Sequence, residues 1–449
     1  MPKKQYDLII IGAGPGGYLA AERAGAFGKK TLIIEKDKSL GGVCLNRGCI
    51  PTKALLNSAK IFYSAQHSEH LGISVTGAEY DLKKAMEWKA KAVSTLTKGV
   101  AYQMKRHNVD VITGVGRIVG RKLVLVGNEE YEGSNIIIAT GSSPITLPIP
   151  GAGMQHVLTS DELLEINKLP RNLVIIGGGV IGIEFASYFS MLGTKVSVIE
   201  LLPEILPNFD RDIGALMRAS LNDCNFITGA EVVSIEDGAV RFRKDGKEHM
   251  LPADVVLQAV GRKPNVENIG LEEINVEFNK RGIEVNEQMR TNVPHVYAVG
   301  DVTGKSLLAH SAYRMGEVAV NDMFQRKDKM RYNAIPWVVY SYPELSGVGL
   351  TEDDAKKSGR NVKIGTLQMK ANGRFVSEHG SEKGICKVVV DADTNCLLGV
   401  TLLGSYSSEI VYGAAAIIEA EFRVKDIREI VFPHPSVSEI IKDTLWEIY

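Results

Sequence analysis

The fold of this chain is decided by the stretch LIIIGAGPGG, residues 8–17, and by its echo LVIIGGGVIG, residues 173–182. Each stretch predicts a buried apolar strand that runs into a G-x-G-x-x-G turn and then into a helix. A second apolar strand follows each helix and ends in an acid, Glu35 in the first copy and Glu200 in the second, at the same distance from the first glycine. The chain therefore repeats one strand-turn-helix-strand unit.

The glycines of the two turns suit a backbone that bends sharply and approaches a pyrophosphate group at the positive end of a helix. The acid that ends the next strand accepts hydrogen bonds from ribose hydroxyls. A single motif of this kind can be an ordinary glycine turn without a ligand, but two matched copies predict two Rossmann-like dinucleotide-binding domains. The glycines expected to contact the nucleotides are Gly12, Gly14 and Gly17 in the first copy and Gly177, Gly179 and Gly182 in the second.

Glu200 also indicates which nucleotide the second copy binds. Its carboxylate would repel a 2′-phosphate, and the sequence LLP at residues 201–203 offers no cation to neutralise one. The sequence therefore favours NAD over NADP at this site.

Length and composition limit the classes of protein to which the chain can belong. At 449 residues it exceeds the usual size of one hydrophobic core, so three or four domains are expected. The formal net charge is -1 and there is no long basic run, which argues against nucleic acid or a membrane as partner. The N-terminus shows no signal or transit pattern, and five scattered cysteines indicate a reducing compartment, so a cytoplasmic location is expected.

Three segments of the chain predict domain boundaries. A buried strand at residues 135–138 leads into a proline-rich crossover, the sequence GRKPN follows an apolar strand at residues 255–257, and the glycine-turn units stop near NAIP at residues 333–336. The expected division is a first nucleotide-binding domain at residues 1–143, a second at 144–264, a central domain at 265–334 and a C-terminal domain at 335–449.

The sequence GGVCLNRGCIPTK, residues 41–53, places Cys44 and Cys49 just before a predicted helix at residues 54–60. A cysteine at a helix N-terminus has its thiolate stabilised by the helix dipole and by unpaired amides, which makes it reactive. A disulfide that closes so small a loop removes little chain entropy, so a redox role explains the pair better than stabilisation does.

Two alternatives to a redox role stay open at this point. Metal binding would need further ligands, yet Cys224, Cys386 and Cys396 are isolated. Alternatively, Cys44 and Cys49 are two buried structural thiols. If the pair is a redox disulfide, it must contact a flavin, and because it closely follows the first glycine turn, the first copy is assigned to FAD.

These motifs resemble those of the pyridine nucleotide-disulfide oxidoreductase family over essentially the whole chain, and most of all those of its dihydrolipoamide-oxidising members. The most specific part is G-x-C-L-N-x-G-C-I-P-T-K at residues 42–53, where glutathione and mercuric reductases usually carry C-V-N-V-G-C-V-P. The resemblance implies an α/β fold with an FAD domain, an NAD domain, a central domain that completes the FAD site and a C-terminal α+β dimerisation domain. It also implies a homodimer that oxidises protein-bound dihydrolipoamide to lipoamide through Cys44, Cys49 and FAD, with NAD+ as hydride acceptor.

The resemblance assigns roles to other residues as well. Asp301, at the end of VYAVGD, is expected on the ribityl chain of FAD, and Gly261 is expected to meet the nicotinamide nucleotide. Lys53 and Glu184 are expected to form an ion pair beside the flavin, with Glu184 also near NAD, although taken alone each would be a charge on a helix surface. The remaining residues expected to line the FAD site are Gly42, Gly116, Thr140, Gly141, Ser142, Leu307, Leu308, Ala309 and His310.

The C-terminal sequence FPHPSVSE, residues 432–439, resembles the family's H-P-x-x-x-x-E segment. A carboxylate can hold an imidazole in one tautomer and raise its basicity, so that it removes a thiol proton near neutral pH. His434 is accordingly expected to act as the base and Glu439 to orient it, in the site of the other subunit of the homodimer. Without the family context, a lone His-Pro would be a plain loop residue.

Two departures from the family pattern bear on the substrate. Residues 432–433 are Phe-Pro where His-Ala is common, and Met315 stands where glutamate is usual, which leaves the shape of the lipoyl channel open. The alternative functions are a reductase of glutathione or coenzyme A disulfide, a docking subunit of a multienzyme complex, and a diaphorase. A mercuric reductase is disfavoured because no cysteine pair follows Cys396. The lipoyl carrier, in a 2-oxo acid dehydrogenase or a glycine-cleavage system, is also left open.

Overall fold

The computed structural model describes residues 4–380 and 382–448. The predicted α/β class is confirmed. The helices are α1 Pro15–Ala26, α2 Gly42–Arg47, α3 Cys49–Gln66, α4 Leu82–Arg106, α5 Ser160–Leu163, α6 Val180–Met191, α7 Arg211–Ser220, α8 Ala309–Met323, α9 Glu352–Lys357, α10 Gly373–His379, α11 Ser407–Glu419, α12 Val424–Glu429 and α13 Glu439–Trp446. None of these described helices combines the length and hydropathy that crossing a membrane requires.

The strands of the described residues fall into six sheets. They are β1 Lys4–Ile11, β2 Thr31–Glu35, β3 Asp110–Thr113, β4 Gly116–Gly120, β5 Leu123–Val126, β6 Glu129–Ile138, β7 Ser142–Pro144, β8 Val157–Leu158, β9 Asn172–Ile176, β10 Lys195–Glu200, β11 Cys224–Thr228, β12 Ala230–Glu236, β13 Ala239–Lys244, β14 Lys247–Pro252, β15 Val255–Gln258, β16 Arg262–Pro264, β17 Phe278–Asn279, β18 Gly282–Ile283, β19 Val296–Ala298, β20 Trp337–Val339, β21 Leu345–Gly349, β22 Val362–Gln368, β23 Ile385–Asp391 and β24 Leu397–Leu403.

The first sheet has the strand order β3-β2-β1-β6-β5-β4, and β19 also pairs with β6. Strands β3, β2, β1, β6 and β19 are parallel, so their C-terminal ends meet at one edge. In β1, Leu8 and Ile10 pack with residues of α1 and α8, whereas Ile9 and Ile11 pack with residues 266–302 on the opposite face. Burial on both faces explains why residues 8–11 of this strand are all apolar.

The second sheet is parallel, with the order β11-β10-β9-β15-β8. Its unit β9-α6-β10 repeats β1-α1-β2, so the predicted internal repeat is confirmed. An antiparallel sheet of β12, β13 and β14 follows β11 along the chain. The two parallel sheets are linked where β7 pairs antiparallel with β16, with Ser143 opposite Lys263.

Residues 265–334 return the chain to the first sheet. Strand β19 pairs parallel with β6, and α8 packs closely on α1. A Cβ added to Gly316 would lie 2.6 Å from the Gly16 oxygen, so glycine permits this close approach. Because β19 is parallel to β1, Asp301 follows the same sheet edge as the turn that begins at Gly12.

The C-terminal sheet is antiparallel, with the order β20-β21-β24-β23-β22, and residues of α11 and α13 complete its core. It is tied to the second nucleotide-binding unit by Lys387 on β23, whose side chain is only 5% exposed. The Lys387 Nζ lies 3.0 Å from Asp210, just before α7, and 2.6 Å from Glu352 in α9. The buried ammonium therefore neutralises carboxylates from two other segments.

Two elements are longer than the sequence predicted. The expected strand at residues 135–138 is the end of β6, which begins at Glu129 because its first half also pairs with β5. The helix expected from Ala54 begins at Cys49, because Pro51 fits the first helical turn, where its missing N–H is no loss. The second cysteine is thus itself the first residue of the helix.

Candidate active site

The two glycine turns have the same backbone geometry. Gly12 and Gly177 have φ values of +102° and +107°, which favour glycine. A Cβ at Gly12 would lie 2.3 Å from the Ala139 oxygen, and one at Gly177 would lie 2.5 Å from the Ala259 oxygen. Neither α1 nor α6 carries an acid in its first turn, so both helix N-termini are free to attract an anion.

Glu35 and Glu200 brace these turns in the same way. Oε2 of Glu35 accepts a hydrogen bond from the Ala13 amide at 2.7 Å, and Oε2 of Glu200 accepts one from the Gly178 amide at 2.6 Å. The second oxygen of each acid accepts from the amide two residues further on, at 3.0 and 2.8 Å. The structure therefore places each predicted acid directly beside its glycine turn.

A cavity of about 920 Å³ lies at the C-terminal edge of the first sheet, a size that suits a cofactor. Gly17 does not line it but packs beneath the turn, where a Cβ would lie 1.9 Å from the Gly12 oxygen. The predicted residues that line the cavity are Gly12, Gly14, Glu35, Gly42, Cys44, Cys49, Lys53, Gly116, Thr140, Gly141, Ser142, Glu184, Asp301, Leu307, Leu308, Ala309 and His310.

Of the residues predicted for the second nucleotide, Glu184 lines this cavity, and the others lie outside it, beside the second sheet. The others are Gly177, Gly179, Gly182, Glu200 and Gly261. A Cβ at Gly179 would meet no heavy atom within 4 Å, so the space beside the turn is open. Gly261 has a φ of +116°, and its oxygen accepts a hydrogen bond from the Ile145 amide at 3.0 Å.

Cys44 and Cys49 are free thiols joined by a hydrogen bond. This hydrogen bond, together with the Lys53 ammonium, lowers the pKa of Cys49 to about 7, against burial, which raises it. The same hydrogen bond and burial raise the pKa of Cys44. Across residues 4–380 and 382–448, no group of three His, Cys, Asp or Glu side chains could hold a metal ion. The pair therefore has one sulfur suited to negative charge at neutral pH and one that keeps its proton.

The chain between the two cysteines is held from both sides. The Asn46 side chain donates to the Gly42 oxygen at 2.9 Å. The Arg47 guanidinium lies 2.8 Å from Asp37, beside the first glycine turn, and 3.1 Å from Asp161, in α5 of the second unit. Arg47 therefore anchors the cysteine loop to both nucleotide-binding units.

Lys53 and Glu184 form an ion pair in which Lys53 Nζ lies 2.9 and 2.8 Å from the two carboxylate oxygens. Glu184 is 5% exposed, and the Tyr340 amide also donates to it, at 3.0 Å. Lys53 Nζ lies 4.4 Å from the centroid of the Tyr340 ring. Burial lowers the pKa of Lys53, but the Glu184 carboxylate raises it, and the net result is a pKa above the ordinary value. The ion pair that the resemblance implies is therefore formed, and the alternative interpretation of Glu184 as a charge on a helix surface is wrong.

Asp301 belongs to a chain of hydrogen bonds at the edge of the cavity. The Ser142 hydroxyl donates to Asp301 at 2.6 Å, and Arg262 Nε donates to the Ser142 hydroxyl at 2.8 Å. Burial raises the pKa of Asp301, whereas Ser142 and Arg262 lower it. Burial also lowers the pKa of Arg262. This buried network fixes the position of the Asp301 carboxyl.

Helix α8, which follows Asp301 along the chain, carries His310 and Met315. His310 Nε2 lies 2.7 Å from the Pro336 oxygen, and burial lowers the pKa of this imidazole. Met315 is fully buried in the core between α1 and α8, and its sulfur accepts a hydrogen bond from the Gly300 amide at 3.2 Å. The methionine at this position is therefore a packing residue.

His434 and Glu439 are brought together, but outside the cavity. His434 Nδ1 lies 3.0 Å from Glu439 Oε1, and the Ser436 amide donates to the other carboxylate oxygen at 2.8 Å. The Ser436 hydrogen bond, followed by that of His434, lowers the pKa of Glu439. The His434 side chain is 80% exposed. Within one chain, the predicted base is therefore not brought to the cysteine pair.

The pattern of residues matches known families along most of the chain. A family model described as pyridine nucleotide-disulphide oxidoreductase matches residues 6–316, and the model of the dimerisation domain of that family matches residues 335–445. The chain belongs to the pyridine nucleotide-disulphide oxidoreductase family. The resemblance predicted from its motifs is thereby confirmed.

Individual relatives in the pyridine nucleotide-disulphide oxidoreductase family match nearly the full length. The chain is 40% identical to a dihydrolipoyl dehydrogenase of Thermus scotoductus and 38% identical to one of Bacillus subtilis, in each case over 97% of this chain and 96% of the relative. Among solved structures, the HOCl-induced flavoprotein disulfide reductase RclA from Escherichia coli has a TM-score of 0.87 at 30% identity, over 98% of this chain and 99% of RclA.

Sequence reasoning missed several polar residues of this pyridine nucleotide-disulphide oxidoreductase. Arg47, Arg262, Tyr313 and Tyr340 all line the cavity. Two of them had a local signal, because Arg47 stands between the cysteines and Arg262 follows Gly261. The two tyrosines had none, since only the tertiary fold brings α8 and the end of β20 to the cysteine pair.

Proposed function

We propose that this chain oxidises protein-bound dihydrolipoamide to lipoamide, with FAD as cofactor and NAD+ as electron acceptor. The observation that carries the proposal is the cysteine pair, in which Cys49 has a lowered pKa beside Lys53 while Cys44 lines the same cavity. The dihydrolipoyl dehydrogenases that match the chain over nearly its full length support this substrate and both cofactors.

The residues around the cavity fit FAD. The turn at Gly12 and the free N-terminus of α1 would hold the pyrophosphate, Glu35 the ribose and Asp301 the ribityl chain. Gly42 allows the cysteine loop to approach this turn closely, since a Cβ on it would lie 2.6 Å from the Gly14 Cα. When bound, FAD supplies the two-electron transfer between sulfur and the nicotinamide nucleotide.

The residues of the second turn fit NAD rather than NADP. The open space at Gly179 allows a pyrophosphate to approach the N-terminus of α6. Glu200 would accept hydrogen bonds from ribose hydroxyls, and the residues that follow it, Leu201 and Leu202, are 66% and 44% exposed and carry no charge. A 2′-phosphate would therefore meet a carboxylate and no cation.

The two cysteines divide the sulfur chemistry between them. A substrate thiolate attacks Sγ of Cys44 in the oxidised pair, the Cys44–Cys49 bond breaks, and Cys49 leaves as a thiolate. The lowered pKa of Cys49, to which Lys53 contributes, stabilises this leaving group. The second substrate thiolate then attacks the substrate sulfur bonded to Cys44, which closes the lipoamide disulfide and leaves a thiolate on Cys44.

The base for this reaction comes from a second copy of the chain. Glu439 holds the Nδ1 side of His434, which leaves Nε2 to accept a thiol proton. A homodimer is supported by the matched dimerisation domain and by large apolar side chains exposed in that region, Tyr412 at 76% and Val431 at 91%. In this arrangement, His434 of one copy serves the Cys44 of the other.

The lipoyl carrier and the cellular location are further parts of the proposal. The carrier belongs to a 2-oxo acid dehydrogenase complex or a glycine-cleavage system, as the resemblance implies. The isolated cysteines Cys224, Cys386 and Cys396 favour a cytoplasmic location. Relatives include a mitochondrial protein of Schizosaccharomyces pombe, so the family by itself does not determine the compartment.

The four-domain division, with boundaries after residues 143, 264 and 334, also stays a prediction.

The test is steady-state oxidation of dihydrolipoamide with NAD+ by the purified flavoprotein. Wild type should turn over, and Cys49→Ser should lose dithiol oxidation while it keeps bound FAD and reduces ferricyanide with NADH. Unchanged dithiol oxidation in Cys49→Ser would refute the proposal, as would a wild-type protein that does not retain flavin after reconstitution. Parallel assays with NADP+ test the role of Glu200.

A second candidate is NAD(P)H-dependent reduction of another disulfide, such as glutathione or coenzyme A disulfide. The likeness to RclA, which is named a flavoprotein disulfide reductase, favours it, as does Phe432-Pro433, which departs from the family pattern. Rates with oxidised glutathione and coenzyme A disulfide separate the two functions. A kcat/KM for either compound above that for lipoamide would favour the second candidate.

A further inference from the structure

Three charged residues meet at the cavity that fits FAD. Nη2 of Arg47, which stands between the two cysteines, lies 2.8 Å from a carboxylate oxygen of Asp37. Nε of the same guanidinium lies 3.1 Å from a carboxylate oxygen of Asp161. All three residues line the cavity. One guanidinium therefore bridges an acid of the first nucleotide-binding unit and an acid of the second, and these contacts are called the Arg47 bridge below.

The Arg47 bridge lies between the two ends of the site proposed for FAD. Asp37 is next to the ribose end, because its amide donates to Oε1 of Glu35 at 3.0 Å. Arg47 is next to the redox end, because it stands between Cys44 and Cys49. A cofactor that extends from Glu35 to the cysteine pair therefore passes the bridge with its middle part.

The acid of the second unit stands on a short helix that is also held from outside the cavity. Asp161 belongs to α5, and Leu163 and Leu164 at the end of this helix are each 1% exposed. The Lys89 ammonium, in α4, donates to the Leu164 oxygen at 2.5 Å and lies 2.7 Å from Glu165. Lys89 does not line the cavity. Helix α5 is thus fixed without Arg47, so that the bridge can open by side-chain movement alone.

We propose that the Arg47 bridge retains FAD by closing the cavity between the two nucleotide-binding units. The inference rests on FAD as the cofactor in the proposed function and goes beyond that function, since it concerns how the flavin is kept. The bridge joins only protein groups and has to open before FAD can leave, so the fraction of time that it is open sets the release rate. Arginine suits this role because its planar fork of donors can hold two carboxylates at once.

The charge of the acids acts in the opposite direction to the bridge. The pyrophosphate of FAD is anionic, so a carboxylate at the cavity repels it and favours release. If charge alone mattered, removal of Asp161 would slow the release of FAD. If the bridge retains FAD, the same removal speeds release. The sign of the change therefore separates the two effects.

The experiment measures how fast bound FAD exchanges with an excess of isotope-labelled FAD in the full-length flavoprotein, by mass spectrometry of the bound flavin. Asp161→Asn removes one contact and one negative charge. Arg47→Lys keeps the positive charge but loses the fork that holds both acids. We expect exchange to become about fivefold faster in each variant, the effect of losing one partly exposed ion pair, since the Arg47 side chain is 32% exposed.

Asp212→Asn is the matched control. It also neutralises an acid of the second unit that pairs with a cation of another domain, because Asp212 lies 3.1 Å from Nζ of Lys387 in the C-terminal sheet. Asp212 does not line the cavity, and Lys387 keeps its contacts with Asp210 and Glu352. FAD should therefore exchange from this variant at the wild-type rate.

Salt provides a second measurement on the same bridge. Partly exposed ion pairs are weakened by screening, and at about 1 M salt the Debye length is only about 3 Å. Exchange from wild type should therefore become faster with salt, and the ratio of the Asp161→Asn rate to the wild-type rate should fall towards one. A ratio that stays constant would contradict an ionic bridge.

Four further results would overturn the inference. Slower exchange in Asp161→Asn would show that the charge of this acid, and not the bridge, acts on FAD. Wild-type rates in both variants would show that FAD leaves without the bridge opening. Acceleration in Arg47→Lys alone would mean that the guanidinium binds FAD directly. Acceleration in Asp212→Asn as well would indicate a general loosening between the domains.

Failure of the proposed function would look different. A flavoprotein that does not oxidise dihydrolipoamide would refute the proposed substrate only, because FAD exchange involves no substrate and would still decide on the Arg47 bridge. A wild-type protein that binds no flavin would refute both.

Discussion

Lys53 Nζ lies 2.8 Å from Glu184 Oε2, although the two residues are 131 positions apart in the chain. Lys53 stands in the helix that begins with Cys49, and Glu184 stands in the helix that follows the second glycine turn. The amide of Tyr340, at the start of the C-terminal part, donates to the same carboxylate. One buried acid therefore joins three parts of the chain next to the cysteine pair.

Glu184→Gln should destabilise the protein, because it leaves the Lys53 ammonium without its counter-charge. We expect the free energy of unfolding in urea to fall by about 2 kcal/mol, less than for a fully buried pair because the Lys53 side chain is 32% exposed. The control is Glu287→Gln, which removes a surface pair with Lys329 at 3.8 Å and should cost about 0.5 kcal/mol or less. Equal losses in both variants would contradict the prediction.

Alkylation of Cys49 should follow its lowered pKa. In the reduced protein, the rate with iodoacetamide should rise with pH through a midpoint of about 7. Trypsin cleaves after Arg47, so mass spectrometry can follow Cys49 separately from Cys44. Lys53→Met should move the midpoint upwards by about one pH unit, because the ammonium that favours the thiolate is lost. Cys224 is an internal control, since burial raises its pKa to about 11. An alkylation midpoint that does not move in Lys53→Met would show that Lys53 does not stabilise the Cys49 thiolate.

Mixed dimers should regain activity if two copies share each site. Cys49→Ser and His434→Gln should each be nearly inactive alone, because each removes one half of both sites. After the two variants are unfolded and refolded together, about half of the dimers are mixed, and each mixed dimer has one intact site. We expect about a quarter of the wild-type rate. Recovery of no activity, with mixed dimers demonstrated by mass, would show that His434 of one copy does not serve the cysteine pair of the other.

Gly179→Ala should weaken nucleotide binding without straining the fold. The residue has a φ of −75°, and a Cβ there would meet nothing within 4 Å, so the methyl group should leave stability unchanged. It would occupy the space through which a pyrophosphate approaches the helix, so the KM for NAD+ should rise about tenfold. The control is Gly193→Ala, where the position is also open but φ is +81°. Because an alanine is strained at this φ, the control should lower stability and leave the KM for NAD+ unchanged. An unchanged KM for NAD+ in Gly179→Ala would show that NAD does not bind at this turn.

The local features of the site could be predicted because each depends on residues that are close in sequence. One short unit contains the strand ending at Ile11, the positive φ of Gly12 and the acid Glu35. A second copy of this unit, which begins its turn at Gly177, supports the same prediction of a nucleotide-binding turn. The pairing of His434 with Glu439 is likewise local, since only five positions separate them. In such cases the type and spacing of the residues are enough to predict their arrangement in space.

Contacts between distant segments could not be predicted in this way. Tyr18 and Tyr313 become neighbours only when α8 packs on α1, and Lys387 gains Asp210 and Glu352 only when the C-terminal sheet meets the second unit. A lysine inside the apolar strand β23 gave no indication of its partners, because a buried charge is decided by which carboxylates the fold brings to it.

By itself, the sequence determined the two repeated nucleotide-binding units, the reactive cysteine pair and the family, because glycine turns, apolar runs and helix N-termini act over a few residues. Only the tertiary structure decided which groups lower the pKa of Cys49 and which distant polar groups face the cavity. Those properties depend on burial and on charges a few ångströms away in space, and both are set by packing between segments that are far apart in the chain.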